Sequence, residues 1–387
     1  MSNELNPMAQ TQVAIVSTSS YAVNAFLALH INALTESGAE ITVYCNRDHG
    51  SLNQDLIATH DEINFSREIN LLNDLYCLIL LYFKFRNKRY DEIYTISPKA
   101  GLIGVLAASL SKIPHRMHFF TGQVWSGSSG VRKILLKSID KLIGYLISYA
   151  IVDSPSQRDF LLSEDIIKKE KAIVFGHGSM CGVDTNRFKP NARTRKSIRS
   201  QYGVKDEDFI VLFVGRLTLD KGLIELANAF SRLKYKHDEL NLFLVGADEG
   251  IRSELENIFR EENILESVKF LGQQVEIEKF FAAADIFCLP SYREGFGLVL
   301  IEAAASGVPS VASRIYGITD AVVDNKTGLL HTPKSVEDLY QKLEYLIESD
   351  EERSRLSKNA RKYAIEKFHP SKIKTEFLDF RERKINR

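Results

Sequence analysis

The stretch from Ala283 to Val311 constrains this chain most. Ile286 to Leu289 is an apolar run of strand character that stops at Pro290. A loop carrying Glu294, Gly295 and Gly297 follows, and a helical run opens near Leu298 and ends at Gly307 and Pro309. Strand, glycine loop and helix in that order make one unit of an α/β sheet. The helix start offers free backbone N–H groups, a site that favours an anion such as phosphate. Glu294 in the loop and Glu302 in the first turns of the helix flank that site.

The same unit recurs along the chain. Val13 to Val16 reads as a strand, followed by Ser17 to Ser20, a helical pattern to Leu34 and a second strand from Ile41 to Cys45. Further strands are expected at 93–96, 116–120, 150–152 and 173–175, with helices at 71–88, 102–110, 132–149 and 157–162. A second series opens with a strand from Phe209 to Val214 and repeats the alternation through the helices at 336–348 and 351–367. The polar, basic stretch from Lys189 to Arg199 marks the junction. The chain is therefore expected to form an N-terminal Rossmann-like domain over 1–190 and a second over 200–367. The two face each other, with ligands in the cleft at the carboxyl ends of their strands. A last helix over 371–387 puts Ile373, Phe377 and Phe380 on one face, which must dock on the rest.

Charge and cysteine usage narrow the function. Fifty basic and fifty acidic side chains cancel, which argues against nucleic acid as the partner. The four cysteines form no CxxC pair, so neither a zinc site nor a disulfide framework is indicated, and a reduced, cytoplasmic compartment fits. Met1 to Gln12 is polar and reads as no signal peptide. The longest unbroken apolar run, Cys77 to Phe83, is too short to span a bilayer. Two segments, 75–89 and 132–146, mix apolar with basic residues. In the second, Lys133, Lys137 and Lys141 share one helical face and Leu135, Ile139, Leu142 and Leu146 another. Both a core-packed helix with a solvated basic face and a surface resting on anionic lipid at the inner face of the plasma membrane stay open.

The second half carries the chemistry. Arg216 and Lys221 follow the first strand of the second series, and Glu294, Gly295, Phe296, Gly297, Leu298 and Glu302 follow a later one. A nucleoside-diphosphate sugar asks for this mixture. Its diphosphate needs positive charge, which Arg and Lys supply without a metal. Glu302 suits a ribose diol, and Glu294 suits hydroxyls of the transferred sugar. Alone, an Arg–Lys pair is solvent-facing and an EGFG is a turn; the combination at two strand ends is what points to a site. In the first half, Ser19 either meets a phosphate or sugar or simply caps a helix. Lys99, Thr121, Gly122 and Gln123 also sit at strand ends, on the expected acceptor side. Trp125 opens a Gly/Ser loop expected to be mobile, either a candidate acceptor lid or a surface loop without a role. No GxGxxG follows the first strand, where the sequence is STSSYAVN, which disfavours a nicotinamide enzyme.

Gly215-Arg216 with Lys221-Gly222, then PSYREGFGLVLIEAAASGVPSVAS and TGLL, resembles the retaining GT-B glycosyltransferases of family 4, whose E-x7-E signature Glu294 and Glu302 match. The resemblance implies a GT-B fold whose C-terminal helix crosses back to the first domain. It also implies a donor held by the second domain: diphosphate on Arg216 and Lys221, donor sugar at Glu294, ribose at Glu302, and β-phosphate on the backbone of 295–298. PKAGLIGVLAA, TGQVW and DSPSQRDFL resemble bacterial members that build surface polysaccharide on lipid carriers. The implied reaction is retaining transfer of a hexose or N-acetylhexosamine, from UDP in the first instance, to a saccharide or lipid-linked saccharide. No metal or other cofactor is expected. Three departures stand out: Thr121-Gly122 replaces a His-Gly pair, with His118 inside the strand; Cys181 replaces Asn before Gly-Val-Asp; and Asp320 replaces Glu after Gly317. A sugar-nucleotide epimerase of the same fold and a non-catalytic nucleotide-sugar-binding subunit are the alternatives.

Overall fold

The computed structural model describes residues 10–47, 51–66 and 68–385, so the Met1–Gln12 segment lies outside the described residues as far as Ala9. In chain order the first sheet and its helices are β1 (Gln12–Val16), α1 (Ser20–Ala22), a π-helical turn (Val23–Leu27), α2 (Ala28–Glu36), β2 (Glu40–Cys45), β3 (Thr59–Glu62), α3 (Leu71–Lys88), β4 (Glu92–Ile96), α4 (Pro98–Leu110), β5 (His115–Phe120), α5 (Gly130–Leu146), β6 (Tyr149–Val152), α6 (Pro155–Ser163) and β7 (Ala172–Ile173). The second series is α7 (Ala192–Gln201), β8 (Phe209–Val214), α8 (Leu223–Lys236), β9 (Leu240–Val245), α9 (Arg252–Glu261), β10 (Val268–Gly272), α10 (Glu278–Ala283), β11 (Ile286–Leu289), α11 (Leu298–Ala305), β12 (Ser310–Ser313), α12 (Ile318–Ala321), β13 (Gly328–His331), α13 (Val336–Glu348), α14 (Asp350–Lys367) and α15 (Pro370–Lys384).

The strands pair in parallel as a seven-stranded sheet, β3-β2-β1-β4-β5-β6-β7, and a six-stranded sheet, β10-β9-β8-β11-β12-β13. Central strands such as β8 and β11 carry apolar residues on both faces because helices cover both sides of a parallel sheet. The order reverses beside β1 in the first sheet and beside β8 in the second. Chain leaving β8 and β11 therefore diverges to opposite sides and opens a crevice at their carboxyl ends. The loops with Arg216 and Glu294 leave those two strands.

The basic stretch at the junction is more ordered than a linker. Val183 and Phe188 already pack in the second core, and Ala192–Gln201 is helical. Arg199 on that helix is fully buried, donating to Ala283 O (3.0 Å) and Asp285 Oδ2 (3.2 Å). At the other end α15 returns to the first sheet, where Ile373, Phe377 and Phe380 join the core built on β1, β2 and α2. Arg381 closes that contact: its Nη2 lies 2.5 Å from Glu92 Oε1, and Tyr94 Oη donates to Glu92 Oε2 at 2.7 Å, all three side chains being buried.

Candidate active site

The turn after β8 and the loop after β11 are joined as one unit. Tyr292 N donates to Asp220 O (2.8 Å), Arg293 pairs with Asp220 (2.8 Å), and Lys221 Nζ lies 2.6 Å from Glu294 Oε1. Gly222 permits the approach, since a Cβ there would fall 2.1 Å from Pro290 O and its φ is +68°. Beyond Glu294, Gly297 adopts φ +79° and turns the chain into α11. Phe296 is buried and packs on Phe368, so it anchors the loop. Leu298 is the first residue of that helix.

Neither cation stands alone. Lys221 is paired with Glu294, and Arg216 Nη1 donates to Glu249 Oε2 at 2.7 Å. An incoming diphosphate would compete with two carboxylates for two cations, with the α11 N-terminus adding donors to the same oxygens. Glu302 differs from both acids. Its Oε2 is shut off from solvent and has no hydrogen-bond partner among the described residues. Burial pushes its carboxyl up to about 7, against the pull of Arg187. A buried acceptor without a donor is costly, and a ligand hydroxyl would satisfy it.

Residues of the first sheet meet these loops. Gly122 and Gly295 approach so closely that a Cβ on Gly295 would lie 2.9 Å from Thr121 C and 2.8 Å from Asp153 Oδ2. Ser154 Oγ donates to Gly295 O (3.0 Å), and Ser156 Oγ accepts from Gly317 N (2.7 Å) while bonding to Asp320. Asp153, at the end of β6, accepts from Met180 N (3.1 Å), and burial followed by the nearby Glu294 pushes its carboxyl up to about 7. Burial takes the Cys181 thiol up to about 12, with Asp153 and Glu302 adding to the effect. Glu302 also raises the Tyr21 phenol on α1 and Arg216 lowers it, after burial as the main cause, so both second-domain groups lie within electrostatic reach of this first-domain hydroxyl.

The remaining residues expected on the acceptor side divide. Thr121 and Gly122 lie against the Glu294–Gly295 loop. Gln123 is buried beneath them and accepts from Gln157 (3.3 Å). Ser19 acts as the cap of α1, accepting from Ala22 N at 3.3 Å. Lys99 braces α3, bonding Ser66 O (2.9 Å) and Asp74 (3.0 Å). His118 is a structural histidine: burial pulls it down to about 3, its Nδ1 is 2.7 Å from Thr95 Oγ1, and Gly101 packs on its ring. The mobile-lid expectation is corrected. Trp125 is buried, its Nε1 donates to Asp140 Oδ2 (2.7 Å), and it stacks on Phe160, which stacks on Tyr316 of the second domain. Sequence reading missed Asp153, Glu249 and Tyr21. Asp153 carried one usable signal, since it directly follows an apolar strand, as Arg216 and Glu294 nearly do.

Two Rossmann-like sheets facing across a cleft, with these groups at the second sheet's switch point, make up the GT-B fold. Residues 194–363 match the family Glycosyl transferases group 1, and the chain carries a domain of that family. It is 28% identical over 308 residues to the capsular polysaccharide biosynthesis glycosyltransferase CapM of Staphylococcus aureus, covering 79% of this chain and 80% of that one. It is 25% identical over 323 residues to the UDP-Gal:alpha-D-GlcNAc-diphosphoundecaprenol alpha-1,3-galactosyltransferase of Escherichia coli, covering 81% of each. Among solved structures, Anabaena HepE in complex with UDP and glucose superposes with a TM-score of 0.80 at 20% identity, over 97% of this chain and all (100%) of that one.

Proposed function

We propose that this chain is a retaining, family 4 hexosyltransferase. It moves a hexose or N-acetylhexosamine from a nucleoside-diphosphate sugar, UDP-linked in the first instance, to a saccharide carried on a lipid diphosphate, in the synthesis of capsule, O-antigen or exopolysaccharide. The observation that carries the donor site is the unpartnered, buried Oε2 of Glu302 beside the joined Lys221–Glu294 loops. The UDP in the HepE complex and the diphosphoundecaprenol in the E. coli relative's name support the choice of donor and acceptor class.

In this reading the ribose hydroxyls donate to Glu302, and the diphosphate draws Lys221 and Arg216 from their carboxylates. The released Glu294 accepts from hydroxyls of the donor sugar. Charge develops on the leaving phosphate as the glycosidic bond breaks, and the two cations with the α11 N–H groups stabilise it; removing one such donor costs about 3–4 kcal/mol in other enzymes. The acceptor hydroxyl enters on the leaving-group face and passes its proton to the departing phosphate oxygen, so no side-chain nucleophile and no metal is needed. The test is incubation of UDP-sugars with a synthetic lipid-diphosphate saccharide, in chelator, with the product's anomeric configuration read by NMR. Retention without metal is expected. Inversion, or a metal requirement, contradicts the mechanism, and an epimer formed from donor alone contradicts the transferase reading.

A further inference from the structure

Helices α3 and α5 flank α4 on one side of the first sheet, and both turn apolar stripes outward. On α3 the core takes Cys77, Leu81 and Phe85, while Leu72, Tyr76, Ile79 and Phe83 recur at three- and four-residue spacing on the opposite, exposed side. Leu72 is 83% exposed and Phe83 58%. On α5 the core takes Ile143 and Gly144, and the exposed side runs through Val131, Ile134, Leu142 and Tyr145, the first and last being 81% and 80% exposed. The apolar face read from the sequence is thus divided: Leu135 and Leu142 face out while Ile139 and Leu146 pack in. Helices that bury one apolar stripe and expose another are uncommon on a solitary soluble surface.

Charge selects the occupant. Arg86, Arg89, Lys112, Arg132 and Lys141 are exposed around these stripes, and none is in an ion pair among the described residues. The acids of the two helices are withdrawn: Asp74 pairs with Lys99, and Asp140 is buried under Trp125. In a chain of zero net charge, the charges that α3 and α5 themselves leave unpaired are basic and border an apolar centre. A second copy of the same face would meet it with like charge. An interface of acyl chains beneath anionic headgroups meets both properties together.

We propose that the outer face of α3 and α5 docks on a bilayer rich in anionic lipid, with the N-terminal ends of the two helices set deepest. Both helices begin at the carboxyl edge of the parallel sheet, where Leu71, Leu72 and Val131 are strongly exposed and where β5 delivers Thr121 and Gly122 to the cleft. Resting on the lipid-linked acceptor proposed above, this orientation lets an acceptor held in the membrane bring its sugar to the Thr121–Gly295 side without leaving the bilayer. No helix of the described residues is long and apolar enough to cross a membrane, so the contact is made by a face.

Co-sedimentation of the full chain with vesicles tests it, using phosphatidylcholine alone and phosphatidylcholine with about 30% phosphatidylglycerol. Binding to the anionic vesicles only, weakened by salt, is expected. Arg132→Glu with Lys141→Glu should lower the bound partition at least about fivefold for each charge removed. Leu72→Ser with Phe83→Ser should abolish binding at unchanged melting temperature. Equal binding by these variants overturns the proposal. So does absence of binding, whether the chain stays monomeric or forms a dimer that the same serine substitutions dissolve in sedimentation velocity. UDP-sugar binding measured on the same samples separates the two readings, because the platform variants leave the donor loops intact.

Discussion

Glu302 is the carboxyl on which the proposed donor site rests, buried and with an unpartnered oxygen. Burial raises it to about 7, so between the ordinary carboxyl range and that value the folded chain holds a proton that the unfolded chain has released. Stability from this group therefore falls as pH rises through that window, and the loss is complete above it. Glu302→Gln should remove the slope and leave the variant more stable by on the order of 1–3 kcal/mol near pH 8, read from urea melts at both ends of the window. A ribose diol donates to the carboxylate form. Nucleotide affinity in the wild type should accordingly rise through about pH 7 and level off above it, and calorimetry on Glu302→Gln should show weak binding with no such rise. The Lys221–Glu294 pair makes a different prediction. Glu294→Gln should keep the fold and lose about a hundredfold or more in turnover, whereas Lys221→Ala leaves a half-buried carboxylate unpaired and should lower the melting temperature as well. Near-normal transfer by Glu294→Gln would remove it from the mechanism.

At the scale of elements, α15 is the clearest test of how the chain closes on itself. Its three aromatic and aliphatic anchors fill the first core, and Arg381 neutralises Glu92, which is fully buried on β4. Arg381→Ala should cost about 3–5 kcal/mol, because it strands that carboxylate, while Arg381→Met paired with Glu92→Gln should recover much of the loss. A loss under about 1 kcal/mol in chemical denaturation would mean the pair is dispensable. Most of these elements were legible because parallel strands buried on both faces read as short apolar runs; β8 and β11 begin and end where sequence places them. The misses have physical reasons. β3 is THDE, a polar edge strand with one partner, which carries no apolar signal. The outward stripes of α3 and α5 look like core residues from sequence alone, since periodicity reports a face and not what covers it. Trp125 beside Ser and Gly suggested mobility, but its indole finds Asp140 fifteen residues on and is fixed. The carboxylate partners of Arg216 and Lys221 were likewise invisible, because Glu249 and Glu294 reach them through the fold rather than along the chain.

Across the whole molecule the two sheets are held together at their carboxyl edges by glycines and short hydroxyl bridges. Gly295 has an ordinary φ, so alanine there strains nothing locally, yet its Cβ would collide with Thr121 and Asp153 of the facing domain. Gly295→Ala should therefore hold the cleft open. Nucleotide affinity should change little, turnover should fall about tenfold or more, and the radius of gyration measured by X-ray scattering with UDP-sugar bound should exceed that of the wild type. An unchanged turnover would show that this closure is not used.

The central claim is that the loops after β8 and β11 grip a nucleotide sugar, and a crystal structure of the chain with a bound UDP-sugar tests it most directly. Ribose hydroxyls are expected within hydrogen-bond distance of Glu302, the diphosphate between Arg216, Lys221 and the start of α11, and Glu294 on the sugar. A nucleotide found elsewhere, or bound in the cleft with Lys221 still paired to Glu294 and no hydroxyl at Glu302, would contradict it.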